Sequence, residues 1–115
     1  MDPAPHKDLK HRTKQFALAV VTLFKILPKT TEAQVMGKQL LRSGTSVGAN
    51  TRAAFRGRSK REYIAKLGVV IEEADESGFW LEMLTESGTM PHSSTEALRK
   101  ESNELVSIFT SLVTR

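Results

Sequence analysis

Apolar side chains recur along this chain at intervals of three and four, and the pattern restarts four times. Phe16, Val20, Leu23 and Leu27 mark one face of a first helix over roughly residues 8–27, which Pro28 ends. Residues 1–7, with two prolines and no apolar run, read as a disordered tail. Thr31 and Gln34 have the spacing of a capping box, and Ala33, Met36, Leu40, Val47 and Ala54 carry a second stripe as far as Gly57. Ser59 with Glu62 opens a third stripe through Ile64, Leu67, Ile71, Ala74, Leu81 and Leu84, with Gly88 as its stop. Ser93 with Glu96 opens the last, through Leu98, Leu105, Phe109 and Leu112. No segment alternates as a strand would.

Connections this short force sequential helices to lie antiparallel. The pattern therefore predicts an all-α, up-down-up-down four-helix bundle, with residues 1–115 as one domain. Five glycines fall inside the helical pattern, at positions 37, 44, 48, 68 and 78, where each costs roughly 1 kcal/mol against alanine. Folding the second and third helices about Gly57–Arg58 brings Gly48 level with Gly68. Ser43, Ser46 and Ala49 add small side chains nearby, which predicts a close approach of those two helices.

Composition narrows the class without settling it. The net charge is only +4, although the pI is about 9.6. Cysteine is absent, so there is no disulfide framework and no thiolate metal site, and a reducing cytoplasm is the simplest compartment. The longest apolar stretch, Phe16 to Phe24, falls well short of the ~20 residues a membrane span needs, and the N-terminus does not read as a signal peptide.

Charge is sorted along the chain rather than mixed. Arg52, Arg56, Arg58, Lys60, Arg61 and Lys66 precede Glu72, Glu73, Asp75, Glu76, Glu82 and Glu86. In an antiparallel bundle the start of the first helix, the second turn and the C-terminus share one end. That end collects Lys7, Lys10, Arg12, Lys14, Arg115 and the basic run, against Asp2, Asp8 and Glu62. Such a pole suits phosphate contacts, with Arg52, Arg56, Arg58, Lys60 and Arg61 as the expected nucleic-acid-binding residues. Tyr63 and Phe55 are the only aromatics nearby and have core spacing, so backbone contact is expected over base stacking. Level-matching across the second and third helices places Glu72 and Glu76 within reach of Arg42, a structural ion network.

Enzyme chemistry finds no support. There is no Glu-x-x-His pair for a metal centre, no histidine beside Ser43, Ser46 or Ser59, and no strand ahead of the glycines to make a phosphate loop. The expectation is no catalytic residues, no metal and no cofactor. Phe79 and Trp80 are about 100° apart on one helix, so both cannot face a single interior, which favours an oligomer contact or a tryptophan at the bundle edge.

The segment Leu41-Arg42-Ser43-Gly44-Thr45-Ser46-Val47-Gly48-Ala49-Asn50 resembles the four-helix-bundle proteins encoded by intervening sequences within bacterial large-subunit ribosomal RNA genes. The match extends through Ser59, Glu62-Tyr63-Ile64, Leu67, Glu72-Glu73-Ala74-Asp75-Glu76-Ser77 and Trp80-Leu81-Glu82, covering roughly Phe16 to Leu84. Gly78 stands where a larger apolar residue is more usual. The resemblance implies a homo-oligomer, a ring of five subunits, with no established enzymatic activity. It also implies kinship with the accessory variability proteins of diversity-generating retroelements, which share the bundle, bind nucleic acid through a basic surface and assist a reverse transcriptase. The resulting expectation is a noncatalytic, oligomeric nucleic-acid-binding accessory protein. The alternative is a homo-oligomeric scaffold that binds a partner enzyme without touching nucleic acid.

Overall fold

The computed structural model describes residues 3–114. Within them lie four helices and no strand: α1 (Pro3–Lys25), α2 (Thr31–Phe55), α3 (Lys60–Glu86) and α4 (His92–Val113). They form a rod of 45 × 20 × 19 Å. Contacts run in opposite chain directions across each seam. Gly37 lies against Phe24 and Gly44 against Val20, Ser43 meets Ser77, and Thr85 meets Thr95 while Gly78 faces Ser102. Each helix thus packs antiparallel to the next, as the short connections require.

Stripe residues make the core. Phe16, Val20, Leu23, Leu27, Met36, Leu40, Val47, Leu67, Leu81, Leu84, Leu105 and Phe109 are buried in one cluster, while Ile64, Ile71, Leu98 and Leu112 are only partly buried. Polar side chains in this interior satisfy one another or the backbone. The hydroxyls of Ser43 and Ser77 are 2.9 Å apart between α2 and α3, and those of Thr85 and Thr95 are 2.6 Å apart between α3 and α4. No buried side-chain nitrogen or oxygen among the described residues lacks a partner.

Helix ends depart from the sequence reading in instructive ways. Helical backbone begins at Pro3, so residues 3–7 extend α1 instead of forming a tail; Met1 and Asp2 lie outside the described residues. Pro3 and Pro5 fit because first-turn N–H groups have no intrahelical partner to lose. The cap of α2 is Thr30, whose side chain accepts from the Ala33 N–H at 3.3 Å; Gln34 instead donates to the Pro28 carbonyl. Ser59 does cap α3, accepting from the Glu62 N–H, but the Glu62 carboxylate reaches back one residue further, to the Arg58 N–H at 2.7 Å. At α4 the expected Ser93 cap is absent. The helix starts directly after Pro91, which cannot cap through a side chain, so Ser93 already lies inside the first turn. Gly88 ends α3 at φ +77°, a conformation that glycine adopts without penalty.

Helices α2 and α3 do pair more extensively than any other two, but the expectation that Gly48 and Gly68 bring them together is corrected. A Cβ on Gly68 would meet nothing within 4 Å, whereas one on Gly48 would lie 3.3 Å from the Thr13 carbonyl oxygen of α1. Gly37 and Gly44 also face α1. Small residues on α2 therefore admit α1, while the Ser43–Ser77 hydroxyl pair joins α2 to α3 within the shared core. Gly78 faces the Ser102 hydroxyl, 3.1 Å from where its own Cβ would stand, so a larger residue there needs a different α4 partner.

Candidate nucleic-acid interface

The α2–α3 turn carries the basic run to one end of the rod. Arg56 caps α2, its N–H bonded to the Ala53 carbonyl, and Gly57 follows with its N–H on Ala54, so the chain reverses within Arg56–Ser59. Arg52 sits in the last turn of α2, and Lys60 and Arg61 open α3. All five expected phosphate contacts, Arg52, Arg56, Arg58, Lys60 and Arg61, are solvent-exposed and converge on this turn. None of them forms an ion pair among the described residues. Glu62 is the carboxylate among them, and it is held by the turn's own backbone.

Two shallow recesses flank the turn. Ala53, Arg56, Gly57, Arg58, Glu62, Ala65 and Lys66 line one of about 410 Å³, and Ala54, Phe55, Gly57, Arg58, Ser59, Lys60 and Tyr63 line another of about 400 Å³. Phe55 and Tyr63 are half-buried with ring centroids 6.0 Å apart and planes tilted by 30°, packed against the core. The exposed chemistry of the turn is therefore mainly cationic.

Two charge assignments change. Arg12 does not add to the pole, because its guanidinium donates to Glu101 at 2.7 and 2.8 Å and to Glu104 at 2.8 Å, which raises its pKa above the ordinary arginine value. Counting charges by height along the rod missed this, since Glu101 and Glu104 approach from α4; their spacing of three, opposite the start of α1, is the signal that could have found them. Arg115 and Asp2 lie outside the described residues. The Arg42 network uses Glu73 and Glu76 rather than Glu72 and Glu76. Arg42 donates to Glu73 at 2.9 Å and to Glu76, while Glu72 stands exposed about 100° further round α3. Trp80 completes this group through its indole N–H, 3.2 Å from Glu76. The bond from Arg42 and, secondarily, that from Trp80 hold the Glu76 carboxyl below the usual carboxylate range.

Trp80 is part-buried at the bundle edge, packed against the core, and Phe79 lies exposed in edge-to-face contact with it at 4.9 Å. No group of three or more metal-ligating side chains occurs among the described residues, and none of their helices is long and apolar enough to cross a membrane.

Fold and surface together define a small helical bundle carrying at one end a cluster of cations that form no ion pair among the described residues. The chain belongs to the 23S rRNA-intervening sequence protein family, whose model matches residues 7–111. It is similar to a Bacteroides thetaiotaomicron protein of unknown function from the S23 ribosomal protein family. That structure is 34% identical over 93% of this chain and 99% of the other, with a TM-score of 0.87. No curated protein matches the chain.

Proposed function

We propose that the protein is a noncatalytic nucleic-acid-binding accessory protein that contacts phosphates through its basic pole. One observation carries this reading: Arg52, Arg56, Arg58, Lys60 and Arg61 gather around one turn, exposed and without an ion pair among the described residues. Like charges repel, so a cluster left uncompensated within a single chain is stabilised by an outside anion. A polyphosphate backbone is the anion that matches its length and gains most from counterion release.

An exposed apolar face on α3 bears on the same reading. Phe79 and Met83, one turn apart on α3, are 50% and 39% exposed, and acidic Glu72, Asp75, Glu82 and Glu86 surround them. We propose that this apolar, acidic face is covered in a homo-oligomer, with the ring of five that the family resemblance implies. Several poles side by side then bind one nucleic acid by avidity. The resemblance to retroelement accessory proteins extends the proposal to a reverse transcriptase as the enzyme served.

The test is equilibrium binding of structured RNA and duplex DNA over a salt series, beside an Arg56→Glu, Arg58→Glu, Arg61→Glu variant of the same oligomeric state. Each phosphate contact adds about 0.9 to the slope of log K against log salt on duplex DNA, so the variant should lose about 2.7 per engaged subunit. Absence of binding by assembled wild-type protein at low salt overturns the reading and points to the scaffold alternative.

A further inference from the structure

A second group of cations lies on the flank of the rod, away from the tip of the turn. Lys10 and Lys14, one turn apart on α1, and Arg52 on α2 line a recess of about 300 Å³ with Ala17, Thr45, Gly48 and Ala49. Its floor exists because α1 and α2 approach closely there: Gly48 has no Cβ, and the position of one would be 3.3 Å from the Thr13 carbonyl oxygen and 3.6 Å from Ala17 Cβ. Small residues and long cationic side chains line it together.

We propose that this recess is a second phosphodiester subsite, so that a bound nucleic-acid strand passes from the α2–α3 turn along the α1–α2 flank. The proposal rests on the phosphate-binding reading of the turn and extends its footprint to residues of another helix. Three features support it. Lys10, Lys14 and Arg52 are exposed and form no ion pair among the described residues, while the neighbouring Arg12 is held on the α4 side by Glu101 and Glu104. Arg52 lines this recess with Lys10 and Lys14 and lies one turn before Arg56, so it links the recess to the turn. The floor offers no free hydroxyl proton, because Thr45 donates to the Leu41 carbonyl at 2.7 Å. Recognition here is consequently by ammonium and guanidinium donors alone, which suits a phosphate backbone and is indifferent to base sequence.

The experiment compares the full-length wild type, a Lys10→Gln, Lys14→Gln variant and the Arg56→Glu, Arg58→Glu, Arg61→Glu variant on duplex DNA and single-stranded RNA over a salt series. Losing two phosphate contacts should make the salt slope on duplex DNA shallower by about 1.8 and weaken binding about 60-fold at ~0.1 M salt. Melting temperature and oligomeric state should stay as in wild type, since both lysines are exposed. In parallel, a short oligonucleotide titrated into labelled wild-type protein should shift the amide resonances of Ala17, Thr45, Gly48 and Ala49. If the turn variant loses binding while the lysine variant keeps wild-type affinity and slope and those amides stay still, the subsite is refuted and the basic pole survives. If wild type binds neither nucleic acid, both fall together.

Discussion

Replacing Gly44 by alanine tests whether the small-residue face of α2 sets the distance to α1. In an isolated helix this substitution is favourable by about 0.8–1.0 kcal/mol. In the bundle the new methyl would lie 2.8 and 2.9 Å from the two γ-methyls of Val20 and 3.1 Å from its Cβ. Val20 is fully buried and β-branched, so a change of rotamer relieves at most one methyl contact and leaves the Cβ contact in place. Relief requires α1 to move outward, and overpacking of this kind costs about 1–3 kcal/mol. The net expectation is a loss of roughly 0–2 kcal/mol. Gly68→Ala is the matched control, because a methyl there meets nothing within 4 Å and should return the whole propensity gain. The two substitutions should therefore differ by about 1–3 kcal/mol, or ~4–12 °C in melting temperature, by circular dichroism at one fixed protein concentration. Adding Val20→Ala to Gly44→Ala should recover about 1 kcal/mol relative to additivity, as the new methyl enters the space vacated. Equal stabilisation by Gly44→Ala and Gly68→Ala would refute the reasoning.

Arg42→Met removes the partner of Glu73 and Glu76. Because the pair is half-exposed, the cost near neutral pH should be at most about 1 kcal/mol in urea unfolding. Its pH signature is sharper. The folded Glu76 carboxyl titrates below its unfolded value, so its contribution is present above the unfolded value and is lost as pH falls through the folded one. Wild type should consequently lose more stability than Arg42→Met as pH falls through the ordinary carboxylate range and below it, and parallel profiles would count against the network. Arg12→Gln unties α4 from α1, which touches α4 far less than it touches α2. Amides of α4 near Glu101 should exchange about fivefold faster, the equivalent of ~1 kcal/mol, while those in the middle of α2 stay unchanged. Phe79→Lys with Met83→Lys should reduce the mass seen by light scattering without lowering helix content; an assembly of unchanged mass would place the subunit contact elsewhere.

How far the sequence could be read depended on what periodicity encodes. Helix number and the core members Val20, Leu40, Leu67 and Phe109 follow from spacings of three and four, which name the residues sharing a face. Caps are less legible. Thr30 and Thr31 are adjacent and either could begin α2, and only the path out of Pro28 decides for Thr30. Ser93 and Glu96 have the right spacing for a cap, but Pro91 starts the helix early enough to enclose them. Glu72 and Glu73 differ by one position and therefore by 100° of azimuth, enough to exchange partner for bystander. The candidate interface divides in the same way. The five cations around the α2–α3 turn are close together in sequence and were legible there, and antiparallel geometry already placed Lys10 and Lys14 at their end; the recess those lysines line with Arg52 needed the packing of α1 on α2.

What the sequence by itself determined is local or periodic: four amphipathic helices, short connections, a helix-opening Ser59, a chain reversal at Gly88 and a sorted run of charge. Family membership was readable for the same reason, since the Leu41–Asn50 segment and the acidic Glu72–Glu82 run are contiguous. Only the tertiary structure decided which neighbour each face meets. It turned the glycines of α2 toward α1, gave Arg12 to the carboxylates of α4, and chose Glu73 over Glu72 for Arg42. The physical reason is that helical spacing specifies a direction from the axis of one helix, while contact also depends on the rotation and offset of a second helix. Those are set by the packing of all four together.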